Sequence, residues 1–283
     1  SRTQRDTAHS KKRVRPNNSP AKSSLLKSTA ILLIFSAAAC TAHGSETERS
    51  PLSLSVGAGA MAAPAAKGID EATVLPAPYF KLSYRRVISA GTEGLILDLT
   101  AAQRKQPFSA EICMLPNLGR QEQRLPGRYE GIGSIPATLE GGFRTGFSFL
   151  GLLRVDMLIA ADLLDRGHGG VHGETGLSAA LPLMDIGLFI QMRVALLGGS
   201  SDYMNSYYGI DAGQAASTGF ETYEADAGIE GTRLELTIRK TMGEHWSILG
   251  NTGLLMLADC AGESPLVEQR DQFSLQLLAA YDF

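Results

Sequence analysis

Residues 271–283, DQFSLQLLAAYDF, have a two-residue period that decides the fold class. Successive side chains of a β-strand point to opposite faces, and here one face is apolar while the other is mostly polar. The apolar face carries Phe273, Leu275, Leu277, Ala279, Tyr281 and Phe283; the other carries Gln272, Ser274, Gln276 and Asp282, with Leu278 and Ala280 as exceptions. A strand with one lipid face and one lumen face has this composition. The segment therefore predicts a strand of a membrane barrel, with the last strand of a soluble sheet as the alternative.

The same alternation recurs elsewhere in the chain. Residues 52–60, 186–194 and 233–239 alternate between aliphatic positions and polar or glycine positions, and their polar faces include Arg193, Arg233 and Arg239. An arginine facing lipid at the bilayer midplane costs about 2–4 kcal/mol, so we expect these side chains in a wet lumen. In a soluble sandwich the charges would face outward instead. The barrel prediction therefore rests jointly on the alternation, the aromatic last residue and the export signal described below.

The pattern predicts an all-β fold, an antiparallel transmembrane β-barrel of about 12 strands. The predicted strands are residues 51–60, 74–85, 93–100, 107–115, 132–142, 144–150, 153–161, 174–182, 185–196, 202–210, 230–240, 245–257 and 271–283. Strand numbers of bacterial single-chain barrels are even, and joining the two segments around Gly146 makes the number even. Residues 150–164 also fit a helical stripe. Short turns are expected at 182–185 and 241–244, and long loops at 61–73, 116–131, 211–228 and 258–270.

The first 44 residues are interpreted as a cleavable signal peptide with a long basic n-region. Residues 1–27 are polar and basic, and residues 30–39 form a short apolar run. This run is too short to cross a bilayer as a helix, which needs about 20 apolar residues. Small residues after it predict cleavage before Ser45 and one barrel domain over 45–283. The chain does not begin with Met, so its true start stays open.

The three cysteines leave two questions open. Cys40 follows three alanines in a weak lipoprotein box that lacks the usual leucine, so ordinary cleavage is favoured over lipidation. Cys113 and Cys260 would remain after export, where an oxidising compartment permits a disulfide. They show no framework spacing, so two free thiols are an equal alternative.

Charge and hydropathy exclude several classes of protein. The formal net charge is -3, and no strong basic stripe occurs in the folded part, so no nucleic-acid partner is predicted. No second stretch approaches the roughly 20 apolar residues of a membrane helix. An exported chain of this kind is periplasmic, secreted or a barrel.

His168 and His172 are the residues that most resemble metal ligands. Their i, i+4 spacing, with Glu174 nearby, would suit a helical metal site. The neighbouring Gly169, Gly170 and Gly173 disfavour a helix, so a tight turn is the preferred interpretation. We therefore assign no metal-ligating residue and no metal.

Other enzymatic signatures are weak. No Gly-x-Ser-x-Gly elbow occurs, although a barrel hydrolase could place its serine and histidine on separate strands. Gly57-Ala58-Gly59 is not followed by a βαβ unit, so it is not a dinucleotide fingerprint. The chain is predicted not to be an enzyme, with no catalytic or cofactor-binding residues and no cofactor.

The aromatic residues suggest where the barrel meets the membrane surface. Trp246 follows a predicted short turn and is a candidate for an interfacial girdle. Tyr203, Tyr207 and Tyr208 fit either a girdle or loop packing, and both alternatives stay open.

Several segments, taken in order, resemble the MipA/OmpV family. Leu75–Phe80 (LPAPYF) and Gly131–Glu140 (GIGSIPATLE) are similar to two family segments, and Gly167–Gly170 (GHGG) is similar to a family turn. Asp202–Ile210 (DYMNSYYGI) resembles a fourth segment, and residues 212–228, 246–250 and 264–267 follow in the family's order. The chain departs from the family at residues 62–66, where an aromatic-Gly-Ser motif is usual, and a Gly-Arg motif is present only loosely as Gly119-Arg120.

The resemblance implies a cell outer membrane protein of a Gram-negative bacterium that acts as a scaffold in peptidoglycan (murein) synthesis and remodelling. Its implied partners are a lytic transglycosylase, a penicillin-binding protein and outer-membrane lipid. The strand ending at Phe283 resembles the signal read by the barrel-assembly machinery. The alternatives are a small outer-membrane pore and a surface adhesion or antigen protein. The family brings no catalytic residues to this chain.

Overall fold

A computed structural model of the chain describes residues 51–102 and 107–283. Within these residues, twelve strands close into one barrel, and each strand pairs antiparallel with both neighbours. The strands are β1 (Leu52–Pro64), β2 (Ala72–Tyr84), β3 (Ile88–Gly91), β4 (Gly94–Asp98), β5 (Phe108–Asn117), β6 (Thr138–Phe149), β7 (Leu153–Asp162), β8 (Val171–Leu183), β9 (Leu188–Gly199), β10 (Gly228–Met242), β11 (Trp246–Leu257) and β12 (Asp271–Asp282). β12 pairs with β1 and closes the barrel. The predicted antiparallel barrel is confirmed.

Side chains alternate between the outside and the lumen, as the sequence predicts. In β9, Met192 and Val194 are exposed on the outer surface, whereas Gln191 and Arg193 are buried inside. In β12, the two exceptions to the alternation, Leu278 and Ala280, lie inside and pack in an apolar cluster with Leu249. A continuous apolar belt therefore surrounds a polar interior, which is the arrangement that a lipid environment requires. Members of the belt include Phe80, Leu82, Ile112, Phe143, Phe147, Val155, Ile159, Leu177, Leu181, Leu196, Leu234, Ile238, Phe273, Leu275 and Leu277.

The two ends of the barrel differ in the length of their connections. One end, here called the loop end, carries residues 65–71, 118–137, 163–170, 200–227 and 258–270. The other, called the turn end, carries the short connections 85–87, 150–152, 184–187 and 243–245. Outer-membrane barrels place short turns in the periplasm and longer loops outside the cell. This rule orients the turn end toward the periplasm.

The loop 200–227 contains helices α1 (Ser201–Tyr208) and α2 (Ala212–Thr218), and residues 258–270 contain α3 (Asp259–Gly262). The predicted strand at 202–210 is therefore wrong. Ser200 caps α1 by accepting a hydrogen bond from the Tyr203 backbone N–H. The buried side chains of α1 recur at a helical spacing on one face, at Tyr203, Met204, Tyr207 and Tyr208. This spacing and the cap outweigh the β-propensity of tyrosine.

The remaining element predictions are largely confirmed, with local corrections. Leu153–Asp162 form strand β7 as predicted, so the helical stripe at 150–164 does not form a helix, and the two segments around Gly146 are one strand, β6, as expected. Residues 132–137 belong to a loop instead of a strand, and β3 was not predicted at all. Among the described residues, the strand number agrees with the prediction because the missed β3 offsets the false strand at 202–210.

The structure also bears on the cysteines and on membrane helices. Cys113 and Cys260 are both free thiols, so the free alternative is correct. In the part of the chain that the structure describes, none of the helices has the length and apolar character needed to cross a bilayer. The predicted signal peptide, its cleavage point and Cys40 lie outside the described residues.

Candidate functional site

The loop end is filled by side chains that pack into a cap over the lumen. Two apolar clusters of buried residues make up this cap. The first comprises Ile135, Tyr203, Met204, Tyr207, Tyr208, Ala225, Leu257 and Ala261; the second comprises Ala65, Ile69, Tyr129, Ile132, Ile210 and Leu266. The three tyrosines of α1 are thus loop-packing residues, and not members of a girdle.

Hydrogen bonds join the loops of the cap to one another. The Tyr129 hydroxyl donates to the Leu266 carbonyl at 3.1 Å, and Ser264 donates to the Tyr208 carbonyl at 2.6 Å. The Gln214 amide donates to a backbone carbonyl of loop 118–137 at 2.7 Å. The loops therefore hold each other in place, and their packed side chains cover the mouth of the barrel.

Below the cap, the carboxylate of Glu140 on β6 collects three hydrogen bonds. His168 Nε2 lies 2.8 Å from one carboxylate oxygen, and His172 Nε2 lies 3.0 Å from the other. The Asn117 amide donates to Glu140 at 2.6 Å, and the Tyr207 hydroxyl in turn donates to Asn117 Oδ1 at 3.1 Å. This network ties three strands and the loop 163–170 to helix α1 of the cap.

The two histidines and Glu140 could also be considered as metal ligands, because their ligand atoms lie within 4.8 Å of one another. The backbone N–H of Gly170, however, donates to His168 Nδ1 at 3.1 Å. A neutral imidazole that accepts at Nδ1 carries its proton on Nε2, and that proton points at Glu140. His168 is therefore arranged as a hydrogen-bond donor, with no free lone pair on Nε2 for a metal.

The spacing along the chain identified both histidines but suggested the wrong acidic residue as their partner. Glu174, which is close in sequence, pairs with Arg193 and Arg233 instead. Glu140 joins the histidines because β6 and β8 both flank β7, a relation that spacing along the chain does not reveal.

A second buried carboxylate holds the loop between β1 and β2 under the cap. Glu230 is 1% exposed, and it accepts hydrogen bonds from Lys67 Nζ at 2.5 Å and from the Tyr208 hydroxyl at 2.7 Å. The Lys67 ammonium also lies 4.8 Å and 4.5 Å from the ring centroids of Tyr203 and Tyr207. A register shift in β10 between Ile229 and Gly231 accompanies the burial of Glu230.

The buried phenols of α1 are held in their protonated, donating form. Burial is the main cause that raises the pKa of the Tyr208 hydroxyl well above 10, and the adjacent Glu230 carboxylate adds to the effect. The pKa of Tyr203 is raised for the same two reasons. Both phenols therefore stay protonated and donate to Glu230, Tyr208 at 2.7 Å and Tyr203 at 3.4 Å.

Deeper in the lumen, Arg193 is surrounded by three carboxylates. Its guanidinium lies 2.6 Å from Asp156, 2.8 Å from Glu174 and 3.1 Å from Glu235, and Arg233 approaches Glu174 at 3.3 Å. The predicted inward orientation of Arg193 is confirmed. The acidic partners were not foreseen, although they occupy inward positions of β7, β8 and β10. The network connects four consecutive strands across the lumen side of the wall.

At the turn end, aromatic rings cluster on the outer surface, as predicted for Trp246. Its indole is half exposed and packs edge-on to Tyr281 at 5.2 Å between centroids. Tyr281 also contacts Phe283 at 4.8 Å. This arrangement is typical of a girdle at the membrane surface.

A family model described as "MltA-interacting protein MipA" matches residues 56–283, which is more than half of the chain. The chain belongs to the MipA family. It is an outer-membrane β-barrel protein. The family-like segments at 131–140, 167–170 and 202–210 contribute to the cap or to its junction with the barrel wall.

Two curated relatives support the assignment to the MipA family. A protein of Escherichia coli (strain K12) described as "Putative outer membrane protein YiaT" is 27% identical over 117 residues, which cover 41% of this chain and 45% of the relative. The protein of the same description from Escherichia coli O157:H7 gives the same values. The match spans less than half the length of these relatives.

Among solved structures, the anion-selective porin from Comamonas acidovorans is 9% identical with a TM-score of 0.36, and the match covers 82% of this chain and 98% of the porin. The NanC porin is 8% identical with a TM-score of 0.39, over 81% of this chain and 98% of that chain. Likenesses of this size carry no argument about the function of this MipA family member.

Proposed function

We propose that this protein is an interaction scaffold of the outer membrane that engages enzymes of peptidoglycan synthesis and remodelling. Its partners are a murein lytic transglycosylase and a penicillin-binding protein. The family description, which names an interaction, supports this choice of partner. The observation that carries the proposal is the packed cap, because it closes the lumen at the loop end and a scaffold has no need of an open lumen.

The turn end offers the surface for such partners, because it is the end that faces the periplasm. Leu150 is 83% exposed, Ile186 is 56% exposed and Met184 is 54% exposed, and all three lie in the short turns. Arg85 and Arg86 form a further turn at the same end. Exposed apolar side chains at the same end as charged ones are typical of docking surfaces.

The proposal is tested by capture of purified partners on the immobilised barrel. The transglycosylase and penicillin-binding protein of the same organism are passed over the folded protein in detergent. We expect both to be retained by the wild-type protein and lost by the double variant Leu150→Asp, Ile186→Asp. The matched control is Leu163→Asp, Leu164→Asp, which changes two similarly exposed leucines at the loop end.

Retention by the control and loss by the turn-end variant would support the scaffold. Failure of the wild-type barrel to retain either enzyme, or equal loss in both variants, would overturn it.

Export through an N-terminal signal and assembly into lipid by the barrel-assembly machinery complete the proposal. The apolar belt and the girdle at Trp246 supply the lipid contact. No catalytic step is assigned to any residue.

The alternative is a small pore, which the polar network around Arg193 favours because it provides a hydrophilic lumen. A surface adhesion role would use the loop end instead.

A further inference from the structure

The wall of the barrel is incomplete beside the short hairpin β3–β4. β2 pairs with β3 only through Lys81–Tyr84, and β5 pairs with β4 only through Glu111–Met114. Toward the loop end, Ala72–Phe80 of β2 and Leu115–Asn117 of β5 continue beyond the hairpin. Within residues 51–102 and 107–283, no strand pairs with these two edges. We call the space between them the lateral opening.

The β3–β4 hairpin packs closely against β2 and β5 up to its tip. The Thr92 N–H donates to the Phe80 carbonyl at 3.0 Å. A Cβ atom on Gly91 would lie 2.3 Å from the Phe80 carbonyl oxygen, and one on Gly94 would lie 2.1 Å from the Met114 carbonyl oxygen. Only glycine permits this approach, so the opening begins abruptly above a closed wall and does not result from a frayed hairpin.

Prolines occupy backbone positions that face the lateral opening. In an antiparallel ladder, the N–H and C=O of one residue point toward the same neighbouring strand. The Phe80 carbonyl points toward the hairpin, and the register of β2 is continuous, so Pro76 and Pro78 also face that side. The Ala110 carbonyl accepts from the Leu99 N–H, so Pro116 of β5 faces the opening from the other border.

The three prolines remove the backbone donor at positions that an open edge would otherwise leave unpaired in lipid. An unsatisfied backbone N–H in the hydrocarbon region is costly, and open sheet edges are avoided there for this reason. Proline at an edge position removes the donor and also prevents another strand from pairing. The edges are therefore suited to remain open and unsuited to bind an added β-strand.

The inner surface beside the lateral opening carries an apolar cluster on each border. On the β2 side, Ala77 and Leu75 pack with Met61 and Ala63 of β1. On the β5 side, a second cluster is formed by Cys113, Leu115 and Leu158, with Ile96 packed against it. This lining contrasts with the charged network around Arg193 elsewhere in the lumen. An apolar ligand entering from the membrane would meet apolar side chains on both sides.

We propose that the lateral opening is a portal through which an acyl chain of the surrounding lipid reaches the lumen beneath the cap. The occupant is the hydrocarbon chain itself, since the borders offer apolar contact and few backbone donors. Membrane lipid is the source nearest to the opening, which lies in the wall that carries the lipid-facing belt.

The test is quenching of tryptophan fluorescence by brominated acyl chains. Trp246 is the single tryptophan of the chain, so Trp246→Phe provides a background without tryptophan. Leu75→Trp places a probe on the inner face beside the opening. Its matched control is Gln276→Trp, which is inward on β12 and level with Leu75 because Met61 pairs with both residues. Phe80→Trp, on the outer face, reports full contact with lipid.

The full barrel is reconstituted in vesicles of brominated phosphatidylcholine, and each variant is checked for heat-shifted migration on a detergent gel. We expect Leu75→Trp to lose most of its fluorescence, as Phe80→Trp does, while Gln276→Trp is little affected. Leu115→Trp, on the other border, should behave like Leu75→Trp and serves if Leu75→Trp fails to fold. Weak quenching of both border probes beside strong quenching of Phe80→Trp would overturn the portal and would mean that another part of the chain covers the opening.

Discussion

At the scale of single residues, the buried carboxylate of Glu140 connects the barrel wall to the cap. Its two oxygens accept hydrogen bonds from His168, His172 and Asn117. Two of these donors are oriented by a further hydrogen bond, from the Gly170 N–H to His168 Nδ1 and from the Tyr207 hydroxyl to Asn117 Oδ1. The role of this residue follows from its position at the meeting point of three strands and one helix.

Replacing Glu140 with Gln should destabilise the protein. The amide keeps the shape of the side chain but presents an N–H₂ group to donors, so at least one buried hydrogen bond is lost at a cost of about 1–3 kcal/mol. The free energy of unfolding is measured in detergent by denaturant titration. The control is Glu221→Gln, which makes the same chemical change at an exposed loop position. Equal stability of the two variants would contradict the structural role of Glu140.

The turn at Arg85-Arg86 holds strained backbone, because both residues have positive φ angles, of 49° and 58°. A non-glycine residue in this left-handed region costs about 1–2 kcal/mol. Arg86→Gly should therefore raise the free energy of unfolding by about 1 kcal/mol. Arg86→Ala removes the same charge but keeps the Cβ atom, so it is the matched control. If Arg86→Ala raised the free energy of unfolding as much as Arg86→Gly, the effect would come from the lost charge and not from the backbone.

At the scale of elements, the closure of the barrel depends on small residues in β1. A Cβ atom on Gly59 would lie 1.9 Å from the Leu277 carbonyl oxygen of β12, and one on Gly57 would lie 2.4 Å from the Ala279 carbonyl oxygen. These glycines let the first and last strands approach closely where the sheet closes on itself.

Gly59→Ala should weaken this closing seam, because the added methyl group meets backbone atoms that cannot rotate away. Overpacking of this kind costs about 1–3 kcal/mol. The heat-induced mobility shift on a detergent gel should occur at a lower temperature than in the wild-type protein. Gly127→Ala is the control, since nothing lies within 4 Å of its added Cβ atom. If the temperature of the mobility shift in Gly59→Ala equalled that of the wild-type protein, the β1–β12 pairing would have to accommodate the methyl group without cost, and the prediction would be wrong.

The sequence predicted most elements because a two-residue period is a local property that needs no knowledge of the fold. Arg193 was placed in the lumen for the same reason, and Trp246 was placed at the girdle because it follows a predicted short turn. Helix α1 was missed, although Ser200 and the spacing of Tyr203 and Tyr207 were visible signals of a capped helix. The contact between Glu140 and the two histidines joins β6 to β8, and the lateral opening depends on strand pairing, so no pattern along the chain could reveal either.

At the scale of the whole molecule, the cap and the charged network act in series across the lumen. The cap covers the loop end with two buried apolar clusters, and Arg193 with its three carboxylates lies deeper in the barrel. A solute entering from outside would first have to displace the packed loops, and it would then meet the charged side chains around Arg193. The closed mouth is the feature that favours the proposed interaction role over conduction.

The wild-type protein should therefore show no steady conductance in a planar lipid bilayer. Replacing 201–219 with a short Gly-Ser loop removes α1 and α2, and with them three of the four buried tyrosines of the cap clusters. This variant should conduct, because the polar lumen is then open to solvent at the mouth. Adding Arg193→Ala to it should change its ion selectivity, because three carboxylates then lack their main cation. The point variant Glu221→Gln, in the same loop, is the control for insertion and should stay silent. Steady conductance by the wild-type barrel would favour the pore over the scaffold, whereas silence in all variants would show that the remaining loops and the network close the lumen by themselves.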